Sequence, residues 1–446
     1  MERFTIHNAR VVNEGEVFRG GVTVDEHGMI ERVFRGDDYP TDCKLIDAEK
    51  VYLLPGAIDE HVHFREPGMT QKGDVASESA AAVAGGVTSY MDMPNTRPAT
   101  LSNAAIGERL RAAEGRSYAN YAFHLGAASN NLEEIRSVDP TVVPAVKVFM
   151  GASTGNLQVE QSSLLPIFSA SPIPILTHCE SDLVIACNLS DAKKRYGDAI
   201  PFREHAFIRS DMACLESTKQ AVQLAKRCNA RLHIMHISSA LEARYLAELK
   251  ADGETQISAE TCPQYLTFTA KDYRRFGGKI KCNPSIKYRE DRNALIKGVA
   301  SGLFLTIATD HAPHLLEEKE AVYTRCPSGI PSIQYGLVAT LELVAKRKLS
   351  IADVVRLYSH APADLYAIEK RGYIRPGYHA DFVLIQKRFI ATKGAKAIGK
   401  CGWSPYEALS FHYRVKSTYV NGQLVWDGQK IVGNARGEAL QFRRSR

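Results

Sequence analysis

The sequence predicts an α/β protein: a parallel (β/α)8 barrel spanning roughly 310 residues, with a small β-sandwich domain formed by both termini. Three observations lead there. Short apolar runs alternate with helix-like stretches through the middle of the chain, which is the pattern of βαβ units. Both ends show short alternating strands punctuated by Gly, Asn and Asp instead. Residues able to do chemistry stand at the ends of successive middle strands, where a parallel barrel gathers its active site.

At the N-terminus the strands are Phe4-Thr5-Ile6, Arg10-Val11-Val12, Val22-Thr23-Val24 and the run 30–33. The middle follows with apolar runs at 86–91, 145–149, 173–177, 231–235 and 304–308. Helical spacing covers 102–113, 212–227, 240–250 and 333–346 between them. Near the end, 379–385 reads as a buried strand, and Asn421-Gly422 sits between apolar-rich strands as a hairpin turn. The expected division is therefore 1–54 with 369–446 as the small sheet domain, and 55–368 as the barrel. No internal repeat or low-complexity stretch interrupts this order.

Composition narrows the class. The chain has 446 residues, 45% hydrophobic, 24% charged and 8% aromatic, ordinary for a globular protein with a sizeable core. No window of about 18 apolar residues supports a membrane span. Lys and Arg number 56 against 50 Asp and Glu, a net of +6 spread along the chain, which argues against a nucleic-acid stripe. The tail 443–446 is expected to be solvated and frayed. The start alternates like a strand and shows no signal-peptide pattern. Nine cysteines without a C-x-x-C pair, among them Cys187, Cys214, Cys228 and Cys282, read as buried free thiols in a reducing, cytoplasmic setting. The 14 histidines are the unexplained surplus.

Several of them fall at strand ends. The first middle strand ends Asp59-Glu60-His61-Val62-His63. Histidines at i and i+2 of a strand share a face, so both rings can reach one metal ion. Lys147 lies inside the next catalytic strand, His178 and His236 end two more, and Asp310 ends the last, in Thr309-Asp310-His311-Ala312-Pro313-His314. Four imidazoles and a carboxylate converging on one mouth suit zinc or a similar borderline metal. A lysine among apolar neighbours is costly unless paired or neutralised. His233, three residues before His236, is expected to face away and pack against a helix.

The motifs DEHVHFREPG from Asp59, Met93-Pro94-Asn95-Thr96, the stretch from Lys147, Thr177-His178-Cys179-Glu180, His236-Ile237-Ser238-Ser239, Asn283-Pro284 and TDHAPH from Thr309 resemble those of dihydroorotases in the amidohydrolase superfamily. The resemblance runs over nearly the whole chain, split β domain included. It implies a barrel of the metal-dependent hydrolase type with two Zn2+ per chain. His61, His63 and Asp310 would hold one ion, His178 and His236 the other, and carboxylated Lys147 would bridge them. Some relatives bridge with an aspartate in the loop after that strand; positions 151–156 carry no carboxylate, which favours the lysine.

The implied reaction is the reversible cyclisation of N-carbamoyl-L-aspartate to L-dihydroorotate in pyrimidine biosynthesis, with Asp310 as the catalytic acid–base. Arg65, Asn95 and His314 would bind the α-carboxylate and Asn283 the ring, helped by backbone groups of 327–331. The alternatives are another cyclic amidase, such as allantoinase or dihydropyrimidinase, and a dihydroorotase-like non-catalytic partner. Neither alternative ring carries the carboxylate that Arg65 would fork, and a non-catalytic relative is expected to lose ligands that are all present here. The small residues 151–153 stand where dihydropyrimidinases favour an aromatic. The resemblance also implies a homodimer and allows association with another pyrimidine-pathway enzyme. Two motifs depart from the family wording, Asn283-Pro284-Ser285-Ile286-Lys287 and Ile330-Pro331-Ser332-Ile333-Gln334. The acidic stretch 315–325 reads equally as a closing lid or a solvated loop.

Overall fold

A computed structural model describes residues 1–151 and 157–444. The first barrel strand, Ala57–Val62, pairs in parallel with Val87–Asp92, which pairs with Asn120–Phe123. Leu125–Gly126, Val146–Phe149, Ile175–His178, Leu232–Ile237, Ile257–Thr261 and Thr306–Ile307 continue as parallel neighbours. Asn120–Phe123 and Leu125–Gly126 are one strand broken at His124, so the barrel has eight. It closes where Val62 bridges His311 and the His63 N–H donates to the His311 carbonyl at 2.7 Å.

Four helices fall where periodicity placed them: Asn103–Ala113, Asp211–Cys228, Ala240–Ala251 and Gly336–Ala345. Ser102, Ser210 and Ser239 cap the first three through their side chains, each accepting an otherwise orphan N–H of the first turn. Two barrel strands had no counterpart in the apolar runs, Asn120–Phe123 and Ile257–Thr261. Their buried Asn120, Glu260 and Thr261 break the hydrophobic run while facing polar partners inside the fold.

Both termini meet in one mixed eight-stranded sheet. Phe4–Asn13 pairs with Glu16–Val24 on one edge, and with Lys44–Asp47 and then Tyr52–Pro55 on the other. Phe382–Lys393 joins Tyr52–Pro55, and Ser410–Val420 follows. The strands of Phe4 and Tyr419 stand three places apart, about 14 Å in a flat sheet. Their rings nonetheless stack at 5.8 Å, so the sheet folds over on itself into two layers. Alternation sorts the faces: Phe382 and Leu384 join that inner core, whereas Val383 and Ile385 pack into the barrel's core.

The end of the chain is not frayed as far as it is described. Ala439 bridges Tyr121, and Leu440 and Phe442 cluster with Ile58, Ala122 and Tyr366. The Arg444 guanidinium donates to the carbonyls of Val143, Pro144 and Tyr366. These bonds to carbonyls of buried residues, with Leu440 and Phe442 anchored just before them, hold down a tail expected to be solvated; 445–446 lie outside the described residues. Among the cysteines, Cys214 and Cys282 are buried as expected, but Cys187 is exposed and Cys228 only half-buried, both on outer helix faces.

Candidate metal centre and substrate pocket

The C-terminal mouth gathers the strand-end residues. His63 Nε2 lies 3.1 Å and His61 Nε2 3.3 Å from Asp310 Oδ1. Ligands about 2.1 Å from a tetrahedral ion stand about 3.4 Å apart, so these three atoms already match a metal's first shell. Across the mouth, His178 Nδ1 and His236 Nε2 are 2.9 Å apart. Between them Lys147 Nζ is buried without a hydrogen-bond partner. An orphaned buried amine facing two histidine pairs fits a group that becomes an anionic ligand, since a free cation there would lose its hydration uncompensated. Residues 152–156, part of the loop whose lack of a carboxylate favours the lysine, lie outside the described residues.

The protonation pattern also fits. Burial drives His61, His178 and His236 below the ordinary imidazole range, with Lys147 adding to each, so the rings are neutral as ligation requires. Burial lowers Lys147 to about 8, opposed by Glu260 and Asp310. An amine in that range has a reactive neutral fraction near neutral pH.

Three of the four rings are aimed from behind. His61 Nδ1 lies 2.7 Å from Glu260 Oε1, and His63 Nδ1 2.7 Å from Asn95 Oδ1. His178 Nε2 is 3.1 Å from Glu180 Oε2. An acceptor on one ring nitrogen fixes the proton there and leaves the other nitrogen's lone pair for a metal. Burial opposes ionisation of Glu180, but Arg209 brings its carboxyl down to about 2. Asp59 ties the first strand to the last by accepting the Thr309 N–H at 3.0 Å and its hydroxyl at 2.6 Å, immediately before Asp310. Asp92, paired with buried Arg109, accepts the Phe64 N–H and so sets the segment between His63 and Arg65.

Arg65, His236 and Asp310 all have positive φ, at 71°, 42° and 48°. For residues with a Cβ this costs about 1–2 kcal/mol each, and such outliers concentrate where geometry serves a site.

The mouth opens into a narrow cleft of about 30 Å3, lined by these ligands and by Phe149, Arg65, Asn95, Asn283, Ser328 and Gly329. Arg65 is buried, not on the surface, and burial brings its guanidinium down to about 10, still charged near neutrality. Neighbouring Glu66 pairs with Arg116. His314 stands one layer back, 3.1 Å from Arg65 Nη2, and burial followed by Arg65 pushes it down to about 3. Asn283 presents a buried Oδ1 that lacks a hydrogen-bond partner. Gly329 has φ 148°, and a Cβ there would meet the Ala312 carbonyl at 2.5 Å, so only glycine lets this loop approach.

The segment after Asp310 is packed down. Lys319 is buried, and its ammonium donates to the carbonyls of Lys281, Pro327 and Gly329. Trp403 Nε1, from the terminal sheet's long hairpin, donates to the His314 carbonyl at 2.9 Å. Apart from Asn283, the residues of the two divergent motifs do not line the pocket. Buried Lys287 donates to Ser238 Oγ at 2.8 Å, and Gln334 exchanges hydrogen bonds with Lys396 and Ile398 of the hairpin.

His233 does not pack against a helix. A register shift between Ile234 and Ile237 breaks the simple alternation, and the ring points into the barrel, 3.2 Å from Glu60 and 2.8 Å from Ser258 Oγ. His311, which carried no assigned role, lies 2.8 Å from Glu78 through Nε2 and accepts the Ser332 and Ile333 N–H groups, which makes it a structural joint. The sequence reading missed Glu260, Glu180 and Asp59 as orienting groups. A carboxylate inside an apolar strand, as in Ile257-Ser258-Ala259-Glu260, was the available signal.

Residues 52–425 match the Amidohydrolase family. The chain is 32% identical over 385 residues to a dihydroorotase of Methanosphaera stadtmanae, covering 86% of this chain and 85% of that protein. It is 28% identical over 444 residues to an allantoinase of Bacillus velezensis, covering 98% and 97%. The solved L-hydantoinase (dihydropyrimidinase) of Arthrobacter aurescens superposes with a TM-score of 0.93 at 24% identity over 99% of this chain and 100% of that one, a likeness of fold. No described helix is long and apolar enough to cross a membrane.

Proposed function

Since this chain belongs to the amidohydrolase family, we propose that it is a dihydroorotase, a zinc-dependent cyclic amide hydrolase that interconverts L-dihydroorotate and N-carbamoyl-L-aspartate in pyrimidine biosynthesis. The observation that carries this reading is the buried Arg65 on the wall opposite the histidines. A buried guanidinium facing a cavity calls for an anionic partner, and a ring carboxylate offers the bidentate match. Behind this wall Lys72, paired with Glu318, reaches His314.

His61, His63 and Asp310 would hold one zinc ion, His178 and His236 a second, with carboxylated Lys147 between them. When bound, the ions supply Lewis acidity toward the ring carbonyl and acidify a water molecule. The chain's own groups do the rest. Arg65, backed by His314, holds the carboxylate, and Asn95 keeps His63 aimed while lining the same wall. Asn283 offers its carbonyl oxygen to a ring N–H. Asp310 takes the proton of the attacking water and delivers it to the ring nitrogen as the C–N bond breaks; cyclisation runs the same transfers backwards.

A cyclic amidase acting on a neutral ring is the second reading, favoured by the allantoinase relative. Initial rates on dihydroorotate, allantoin, hydantoin and dihydrouracil decide between them. Dihydroorotate is expected to lead in kcat/KM; preference for any neutral ring would sink the proposal.

A further inference from the structure

Lys72 carries no role in the site described above, yet it touches the residue behind Arg65. Its Nζ lies 3.1 Å from His314 Nδ1 and 2.7 Å from Glu318 Oε1. On the other side of the ring, His314 Nε2 lies 3.0 Å from the Ser328 carbonyl and 3.1 Å from Arg65 Nη2. A neutral imidazole has one donor and one acceptor nitrogen, whereas an ammonium and a guanidinium only donate. The ring therefore cannot accept from both cations. With the proton on Nδ1, Lys72 would face a second donor, and Glu318 Oε2, at 3.7 Å, is too far to accept it. With the proton on Nε2, Nδ1 accepts from Lys72 and Nε2–H reaches the Ser328 carbonyl. The Arg65 Nη2 donor is then left without an acceptor on His314.

We infer that Lys72 is a positioning residue for substrate selection: by donating to Nδ1 it fixes His314 in the Nε2–H form, which the Ser328 carbonyl accepts, so that His314 cannot accept from Arg65 and the Arg65 Nη2 donor stays open for a substrate carboxylate. The inference rests on the reading of the substrate as a carboxylate-bearing ring. Glu318, on the short helix Leu316–Lys319, neutralises Lys72 on its outer side and keeps its charge from competing with Arg65 for the substrate. A ring carbonyl in place of the carboxylate could also accept from Arg65 but without charge, so the arrangement discriminates by the charge-assisted part of the bond.

The test uses the metal-loaded enzyme and two readouts. Lys72→Met should raise KM for L-dihydroorotate about 10- to 100-fold and leave kcat within about threefold. Lys72→Arg, also a cationic donor, should recover most of that loss. In histidine-15N-labelled protein without substrate, the His314 resonances, identified by their loss in His314→Ala, should show the Nε2–H form in the wild type and a mixture in Lys72→Met. If Lys72→Met does not fold, Lys72→Gln takes its place with the same readouts. A wild-type His314 protonated on Nδ1, or an unchanged KM in a folded variant, overturns the inference. Wild-type preference for neutral rings would instead defeat the dihydroorotase reading, and the tautomer measurement, made without substrate, would still judge Lys72.

Discussion

The two walls of the pocket are built by different means. The metal wall hangs on the barrel's hydrogen-bond ladder: His61, Lys147, His178 and His236 lie in strands paired in parallel with their neighbours, with a register shift beside His61 and another beside His236. The substrate wall is made of loops, and long-range polar contacts hold it. Lys319 gathers the carbonyls of 281, 327 and 329, Trp403 reaches in from the terminal sheet, and Lys72 ties to Glu318. A ladder delivers side chains at fixed spacing and so sets chemistry. Loops set by distant contacts can change without disturbing that chemistry, which is where relatives with one fold and different ring substrates have room to differ.

If the walls are separable, variants on each should fail in different currencies. The largest effect belongs to Asp310, which faces both histidines and carries the proposed proton. Asp310→Asn should lower kcat by at least about 1,000-fold, since both the proton carrier and a charged ligand are lost. Retained turnover with full metal content would remove Asp310 from the chemistry. Lys147→Ala should follow closely, with loss of bound zinc measured by atomic emission; two ions per chain in that variant would refute the bridging lysine.

Arg65→Met tests the opposite wall. It should raise KM for dihydroorotate by about 100-fold, the scale of a lost charged pair, with zinc content unchanged. Loss of metal in this variant would show that the walls are mechanically one and break the comparison. Glu260→Gln probes the layer behind the metal: removing the carboxylate that orients His61 should weaken zinc affinity about 10- to 100-fold, read by chelator competition. Its KM should stay near wild type.

The same division explains what could be read in the sequence. His61-x-His63, His178, His236 and Asp310 were legible because a strand end has one direction and the barrel gathers all its ends at one mouth. His233 was misread because a register shift in its strand defeats simple alternation. Glu260 and Glu180 were invisible as orienters, since their meaning lies in a histidine on another strand or in a ring's far nitrogen. Lys72 and His314 are 242 positions apart, and no local pattern announces their contact. Most of the terminal sheet's strands were legible, Lys44–Asp47 and Tyr52–Pro55 excepted; its fold-over, and the hairpin that reaches Trp403 to the mouth, depend on tertiary packing that no local period records.

The smallest predicted effect spans both walls. His124, in the broken third strand, and His314, in the loop, are each held near 3, by burial first. Their unfolded counterparts titrate near 6.5, so between about pH 6.5 and 3 the unfolded chain binds more protons than the folded one. Stability from these rings is complete above 6.5 and drains away as pH falls through that window. At pH 5 the loss is roughly 2 kcal/mol per ring, from about 1.5 pH units at 1.36 kcal/mol each. Denaturant midpoints at pH 7 and pH 5 should show the drop in the metal-free protein, where ligand titration does not mask it by metal release. His314→Asn should remove only its own share, roughly 2 kcal/mol at pH 5, and leave the shares of His124 and of the other histidines that burial holds low. If the acid loss vanished entirely with His314, the strand-borne histidine would not be paying for its burial, and the stable ladder would not be sharing the cost with the loop wall.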